Sequence, residues 1–115
     1  MKDIEFNLNS KEIHPNSEIK GTISVSYPGP YDGVVINTTI LDSNEHITYK
    51  SSNGKKISQN VSRLFINKNT MQDNKAEFTA VISFEPSQKH EVKFRASIIE
   101  QHKEIESQII FAEYS

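Results

Sequence analysis

Apolar side chains occupy every second position in one stretch of this chain after another, and this spacing limits the fold more than any other feature. The clearest case is AEFTAVISFEP, residues 76–86, where every even-numbered residue from Ala76 to Phe84 is apolar and Pro86 ends the run. Successive side chains of a strand point to opposite faces, so this spacing is typical of a strand with one buried face.

The same alternation predicts strands over most of the chain. Turn-forming residues separate the runs, as at Pro15–Asn16, at 28–33 and at Asn53–Gly54, where proline fixes φ and glycine or asparagine tolerates a positive φ. The predicted strands are residues 4–8, 18–27, 34–41, 45–51, 76–86, 92–98 and 105–111.

Residues 55–75 have the least regular pattern. Ile57, Val61 and Leu64 fit either short strands or a helical turn near 57–64, and we prefer strand or irregular structure. Residues 67–75 are polar and predict a loop.

Composition supports an all-β fold. The chain has fifteen isoleucines and six valines but only three leucines and four alanines. Branching at Cβ restricts side chains in helices and suits a pleated sheet. We therefore predict an antiparallel β-sandwich of seven to nine strands, immunoglobulin-like or arrestin-like, with residues 1–115 as a single domain.

The last two strands predict a hairpin. Its apolar residues are even-numbered up to Ile98 and odd-numbered from Ile105 through Ile109 to Phe111. Because opposed residues share a face, we expect Ile98 opposite Ser107 and Phe94 opposite Phe111. Such pairing requires a loop of even length, either His102–Lys103 or 101–104.

The segment PNSEIKGTISV, residues 15–25, resembles the Pro-Gly-x-x-Val-x-Gly-x-Val pattern at the second strand of arrestin-like domains. Pro15, Ile19, Gly21 and Ile23 fall on the matching positions, and Asn16 replaces the usual glycine. AVISFEP and VKFRASI resemble the later strands of that family. The resemblance implies a protein-binding scaffold, although only one of the two arrestin domains fits and no phosphate-sensing lysine pair is present.

The totals exclude several classes. Without cysteine there is no disulfide or thiolate metal site. The net charge is −2 with interspersed signs, which disfavours a nucleic-acid binder. No apolar run approaches the roughly 20 residues of a membrane span. The first residues contain no apolar run either, so we expect no signal peptide and a cytoplasmic location.

We expect no catalytic residue, no cofactor and no metal. The sequence contains no nucleophile elbow, phosphate-binding glycine loop or zinc-protease motif. Its histidines are expected at turns or on solvent faces. Glu104 and Glu106 are expected to point the same way, and we interpret them as a solvated strand face rather than a cation site. The histidines are His14, His46, His90 and His102.

Three residues are predicted to contact a partner. Tyr31 lies in the proline- and glycine-rich loop, where packing against the end of the sandwich is the preferred interpretation and an interface the alternative. Ile99 and Ile110 are expected to share the non-core face of the terminal hairpin, which suggests homodimerisation through a sheet face or edge.

The predicted function is a non-enzymatic interaction or scaffold domain of arrestin-like type with a protein partner. The alternative is an extracellular immunoglobulin-like adhesion or carbohydrate-binding module, which exposed aromatic residues lined along one face would favour. A hydrolase is a third class, and it would require converging catalytic side chains. Fold alone does not separate these classes.

Overall fold

The computed structural model describes residues 3–115, which form two five-stranded sheets packed face to face. Sheet I has the strand order β1-β3-β8-β5-β6, and sheet II has the order β2-β10-β9-β4-β7. The predicted all-β sandwich is confirmed. It has ten strands, because residues 55–67 form two strands and because β2, which is only two residues long, is an additional strand that alternation does not predict. The strands are β1 Ile4–Leu8, β2 Glu12–Ile13, β3 Ile19–Val25, β4 Gly33–Ile40, β5 Thr48–Ser52, β6 Lys55–Asn60, β7 Arg63–Asn67, β8 Lys75–Val81, β9 His90–Glu100 and β10 Lys103–Tyr114.

The alternating residues build one apolar cluster between the sheets. Phe78 of sheet I packs on Tyr49 of the same sheet and on Phe6, with ring centroids 5.8 and 6.3 Å apart. Phe6 in turn meets Phe94 of sheet II at 6.5 Å, edge to face. All four rings are buried, as their positions in the alternating pattern predict. Strand β8 ends at Val81, earlier than the pattern predicts, but Ile82 is still buried.

Gly21 lies on the inner face of β3 between Ile19 and Ile23. A Cβ atom at this position would lie 2.3 Å from Cε1 of Phe78, which is closer than two carbon atoms can approach. The absent side chain therefore makes room for the Phe78 ring, which agrees with the close packing expected for a glycine within a strand.

Residues 55–70 contain strands and no α-helix. The hairpin β5–β6 turns at Asn53 and Gly54, whose φ values of 49° and 83° fit a two-residue turn. The chain then crosses from β6 in sheet I to β7 in sheet II and makes a single 3-10 turn at Lys68–Thr70. The helical alternative near 57–64 is thus wrong, and residues 67–75 are a loop only in part.

The terminal hairpin keeps its expected loop parity but not its expected faces. Gln101 and His102 form a two-residue turn with positive φ, and Glu104 pairs with Ile99. One extra residue, Ile105, then bulges out, so that Ile98 pairs with Glu106. A bulge of one residue exchanges the two faces of everything beyond it.

The expected pairs Ile98–Ser107 and Phe94–Phe111 are therefore wrong, because Phe94 lies opposite Ile110. Ile105, Ile109 and Phe111 are exposed rather than inward. The core receives Ile110, Ala112 and Tyr114 from β10 instead.

Two polar side chains of β10 close the side of the sandwich where β1 faces sheet II. Glu106 Oε2 accepts a hydrogen bond from the backbone N–H of Asp3 at 2.7 Å, and Gln108 Oε1 accepts one from Phe6 at 3.0 Å. Next to them, β2 pairs in parallel with the end of β10 at Glu113 and Tyr114. The first and last strands of the domain are joined in this way.

Candidate interaction surfaces

Tyr31 packs against the end of the sandwich. Its side chain is buried, its hydroxyl donates a hydrogen bond to Asn74 Oδ1 at 2.6 Å, and Lys68 Nζ lies 4.4 Å from the ring centroid. Burial raises the pKa of the hydroxyl. Tyr31 therefore packs against the end of the sandwich, which is the preferred of the two interpretations given above. Little of its ring is free to contact a partner.

Ile99 and Ile110 lie on opposite faces of sheet II. Ile110 belongs to the core, so its expected position on the non-core face is wrong, and the cause is the bulge at Ile105. Ile99 is half-buried on the outer face, in a shallow depression of about 380 Å³. The other residues that line the depression are Asp32, Arg63, Phe65 and His102.

The histidines and glutamates considered as possible site residues do not come together in one site. His90 is buried rather than solvated, with Nδ1 2.8 Å from the carbonyl oxygen of Leu41. Glu104 pairs with Arg95 and accepts from Ser97 on the outer face, whereas Glu106 bonds Asp3 on the other side. These two glutamates therefore do not point the same way. Over residues 3–115, no group of three metal-ligating side chains occurs.

A groove of about 420 Å³ lies between β6 and β7, which are the last strands of their respective sheets. Leu64 and Ile66 form its buried floor because alternate residues of β7 point inward. Ile57 of β6 is half-buried beside them. We call this the β6–β7 groove.

Phe65 stands between the groove and the outer face of sheet II and lines the depressions on both sides. Its side chain is 46% exposed, so about half of an aromatic ring remains available for contact. Gly33, its neighbour on β4, permits this position, because a Cβ there would lie 2.9 Å from Cζ of Phe65 and 2.2 Å from the carbonyl oxygen of Ile66.

Basic residues are concentrated in the strands that form the β6–β7 groove, and Lys55 lines the groove itself. Residues 46–72 contain five lysines and arginines and no aspartate or glutamate, whereas the other 88 residues contain eight basic and all fifteen acidic residues. Charge is therefore interspersed along most of the chain but not in β5, β6 and β7. The ion pairs formed within residues 3–115 involve none of these five side chains. The five are Lys50, Lys55, Lys56, Arg63 and Lys68.

A second depression, of about 460 Å³, lies on sheet I and has a polar lining. Asn53 borders it and is held by its neighbours: Nδ2 donates to the Thr70 carbonyl at 2.9 Å and Oδ1 accepts from the Glu77 N–H at 2.8 Å. These bonds tie the β5–β6 turn to the backbone of residues 70 and 77, so the Asn53 side chain has a structural role. No aromatic side chain is among the residues that line this depression.

Alternation along single strands does not predict the β6–β7 groove, although one signal for it is visible in the sequence. The run of five basic residues without a carboxylate is apparent once residues 46–72 are counted separately. The apolar floor is less apparent, since Ile57, Leu64 and Ile66 come from strands of two different sheets.

No family model matches the sequence, and no curated protein matches it. Solved structures match its fold. The human F-spondin reeler domain superposes with a TM-score of 0.62 at 9% identity, over 99% of this chain and 89% of that chain. Salmonella SafD adhesin gives a TM-score of 0.52 at 12% identity, over 99% of both chains.

AvmM, which catalyses macrocyclization in alchivemycin A biosynthesis, gives a TM-score of 0.57 at 7% identity, over 98% of this chain and 89% of that chain. At these identities the likeness shows the β-sandwich fold alone. One fold thus serves a reeler domain, an adhesin and an enzyme, so function must be argued from the surface. Within residues 3–115 there is no helix long and apolar enough to cross a membrane.

Proposed function

We propose that the protein is a non-enzymatic interaction domain, of the arrestin-like type that its sequence resembles, and that it binds a protein partner at the β6–β7 groove. The groove itself is the observation that carries this proposal. It combines an apolar floor, the half-exposed ring of Phe65 and unpaired basic side chains. Edge strands also offer free backbone groups to an incoming chain, which is a common mode of peptide recognition.

A carbohydrate-binding role is less well supported. Phe65 and Phe111 are both exposed on the outer face of sheet II, as a platform for sugar rings would require. However, they lie on β7 and β10, which are separated by two strands. Strand spacing puts them about 14 Å apart across the sheet, and Phe111 lies four residues further along the strands, since Phe65 is level with Ser107. The two rings therefore do not line up as one continuous surface.

A second copy of the chain is a further candidate partner, at β10. Ile109 and Phe111 are 43% and 50% exposed there, and β2 pairs with β10 only at Glu113 and Tyr114. Exposed apolar residues beside an open edge favour association. Sedimentation should then give a dimer that Phe111→Lys converts to a monomer, while Leu41→Lys leaves it unchanged. A wild-type monomer at all concentrations would exclude this candidate.

Site-specific photocrosslinking in cells of the organism that encodes the protein tests whether a protein partner binds at the β6–β7 groove. A benzophenone amino acid at position 65 should give discrete protein adducts. The same group at position 41, where the leucine is also partly exposed and follows β4 beyond the last residue that pairs with β7, should not. Equal adducts at both positions, or none at position 65, would reject the groove as an interaction site.

A cytoplasmic location is also part of the proposal. Fractionation of cells that express the natural gene product tests it, and recovery from the medium or cell surface would count in favour of the adhesion class.

A further inference from the structure

We infer that the partner of the β6–β7 groove is an extended acidic segment of another protein, in which carboxylate residues alternate with apolar ones. This inference rests on the proposed function, because it names the partner of the same groove. Three features of the groove lead to this class of partner: its charge, its floor and its open strands.

The charge of the groove selects an acidic chain. Lys55 lines the groove, Lys56 follows it on β6, and Arg63 lies beside Phe65 on β7. All three are exposed, and none has an ion-pair partner within residues 3–115. Carboxylates of a partner would pair with them without displacing an existing ion pair. Such rim pairs act mainly on selectivity and on the rate of association.

The apolar side chains that the groove still exposes supply the affinity. Leu64 and Ile66 are already buried, so the apolar surface left to cover belongs to the half-buried Ile57 and the exposed part of the Phe65 ring. Apolar partner residues placed here remove this surface from water, and aromatic residues in such positions often dominate binding energy. An acidic chain without apolar residues would leave Ile57 and Phe65 uncovered.

The open strands favour an extended partner. β6 pairs only with β5, and β7 pairs only with β4, so each strand has one side free of a neighbour among the described residues. An extended chain bonds its backbone to such a side and sends alternate side chains in opposite directions. Apolar residues then face the groove, and the residues between them face the other side of the strand, where Lys56 of β6 is exposed.

Nucleic acid fits the same surface less well. A long polyanion would also meet the remaining 88 residues, which carry seven more acidic than basic residues. Single-stranded nucleic acid is bound by several aromatic rings on which successive bases stack. Phe65 is the one aromatic residue among those that line the groove. A short acidic peptide needs only the basic patch and this one ring.

Fluorescence anisotropy with labelled probes tests the inference. The main probe is a twelve-residue peptide of alternating glutamate and valine. The comparison probes are alternating lysine and valine, alternating glutamate and serine, and a single-stranded DNA of twelve nucleotides. We expect the glutamate–valine peptide to bind at least about tenfold more tightly than each of the others, and to weaken as salt is raised.

Matched variants assign the binding to the groove. The double variant Lys55→Glu with Lys56→Glu should weaken the glutamate–valine peptide at least about tenfold, and Phe65→Ser should weaken it about thirtyfold. Lys11→Glu with Lys89→Glu changes the same number of exposed charges elsewhere and also removes the ion pair between Lys89 and Glu113. Leu41→Ser removes another exposed apolar side chain. Both controls should bind like the wild type, and circular dichroism confirms that each variant is folded.

The results separate this inference from the proposed function. Equal binding of the glutamate–serine peptide or of DNA would overturn the stated partner class. Failure of all four probes, together with protein adducts at position 65 in cells, would also overturn it but would leave the proposed function standing. Failure of the probes without such adducts would overturn both.

Discussion

Gly21 determines how β3 packs against β8. It faces Phe78 across the strand pair, and the ring occupies the space that a Cβ would take. The Phe78 ring is also held by Phe6 and Tyr49, so it has little freedom to move away. A side chain at position 21 must therefore disturb a ring at the centre of the core.

Gly21→Ala should lower the free energy of unfolding by about 1–3 kcal/mol, because a methyl group is forced into a packed core. Chemical denaturation followed by tyrosine fluorescence measures the change. Thr22→Ala, one residue along and on the outer face, is the matched control and should change stability by less than about 0.5 kcal/mol. If both variants unfold like the wild type, the packing explanation for this glycine is wrong.

Tyr49 links the two sheets through its hydroxyl. The hydroxyl donates to the carbonyl oxygen of Ser62 at 3.0 Å and pairs with the Thr38 hydroxyl at 2.9 Å. Burial raises its pKa well above the ordinary value of 10.0, and the hydrogen bond with Thr38 opposes this only in part. The unfolded chain therefore releases the Tyr49 proton at a lower pH than the folded chain does.

Stability should consequently fall as pH rises above 10. Below that pH, Tyr49 is protonated in both states and has no effect on the slope. Above it, the folded state binds more protons than the unfolded state, so each pH unit costs about 1.4 kcal/mol for this residue. Tyr49→Phe should flatten the alkaline slope by that amount in denaturation curves measured from pH 8 to 11. An unchanged slope would show that Tyr49 does not titrate in this way.

At the scale of the element, the bulge in β10 decides which residues enter the core. Ile105 is an insertion between two pairs that would be consecutive without it, Glu104–Ile99 and Glu106–Ile98. Its removal leaves the faces of β10 beyond Glu106 unchanged. Removal of Phe111 breaks the arrangement, because Ile110 and Tyr114 are then an odd number of residues apart and no longer share a face.

Deletion of Ile105 should therefore give a folded protein within about 1–2 kcal/mol of the wild type, since the bulge adds twist but no core side chain. Deletion of Phe111 should cost far more stability, because either Ile110 or the pair Ala112 and Tyr114 then turns toward solvent. Thermal melts of the two deletion variants compare these effects. Similar losses in both would mean that the bulge itself is needed for the fold.

The sequence predicts the sandwich well because each strand carries its own alternation, which neighbouring strands do not alter. It does not predict the faces of β10, because apolar residues occur on both sides of that strand and only the bulge selects between Ile109 and Ile110. The β6–β7 groove is missed for a related reason. Its floor comes from two sheets, and alternation within one strand does not reveal which edges become neighbours.

At the scale of the whole molecule, charge is unevenly distributed. The net charge is −2, yet β5, β6, β7 and the 3-10 turn after them carry five positive charges and no negative ones. The rest of the surface is acidic. A patch of one sign orients a molecule as it approaches a charged partner, even when the net charge has the opposite sign.

The protein should therefore bind a sulfonated cation exchanger at pH 7.5 and low ionic strength, despite its negative net charge. Lys55→Glu with Lys56→Glu should abolish retention, and Lys11→Glu with Lys89→Glu should not. Elution should occur near 0.1–0.15 M salt, where the screening length falls to about 8–10 Å. Passage of the wild type without retention would show that the five charges do not act together.

The parallel pairing of β2 with β10 gives the fold a mechanical property. Glu113 N–H donates to the Lys11 carbonyl at 2.8 Å and Ser115 N–H to the Ile13 carbonyl at 3.1 Å, and the two strands run in the same direction. Tension applied between Lys11 and Ser115 pulls these strands past each other along their length. Both bonds then carry the load together, whereas the bonds of a hairpin pulled open at its ends break one after another. The β2–β10 pairing therefore resists such tension better than a hairpin held by the same two bonds.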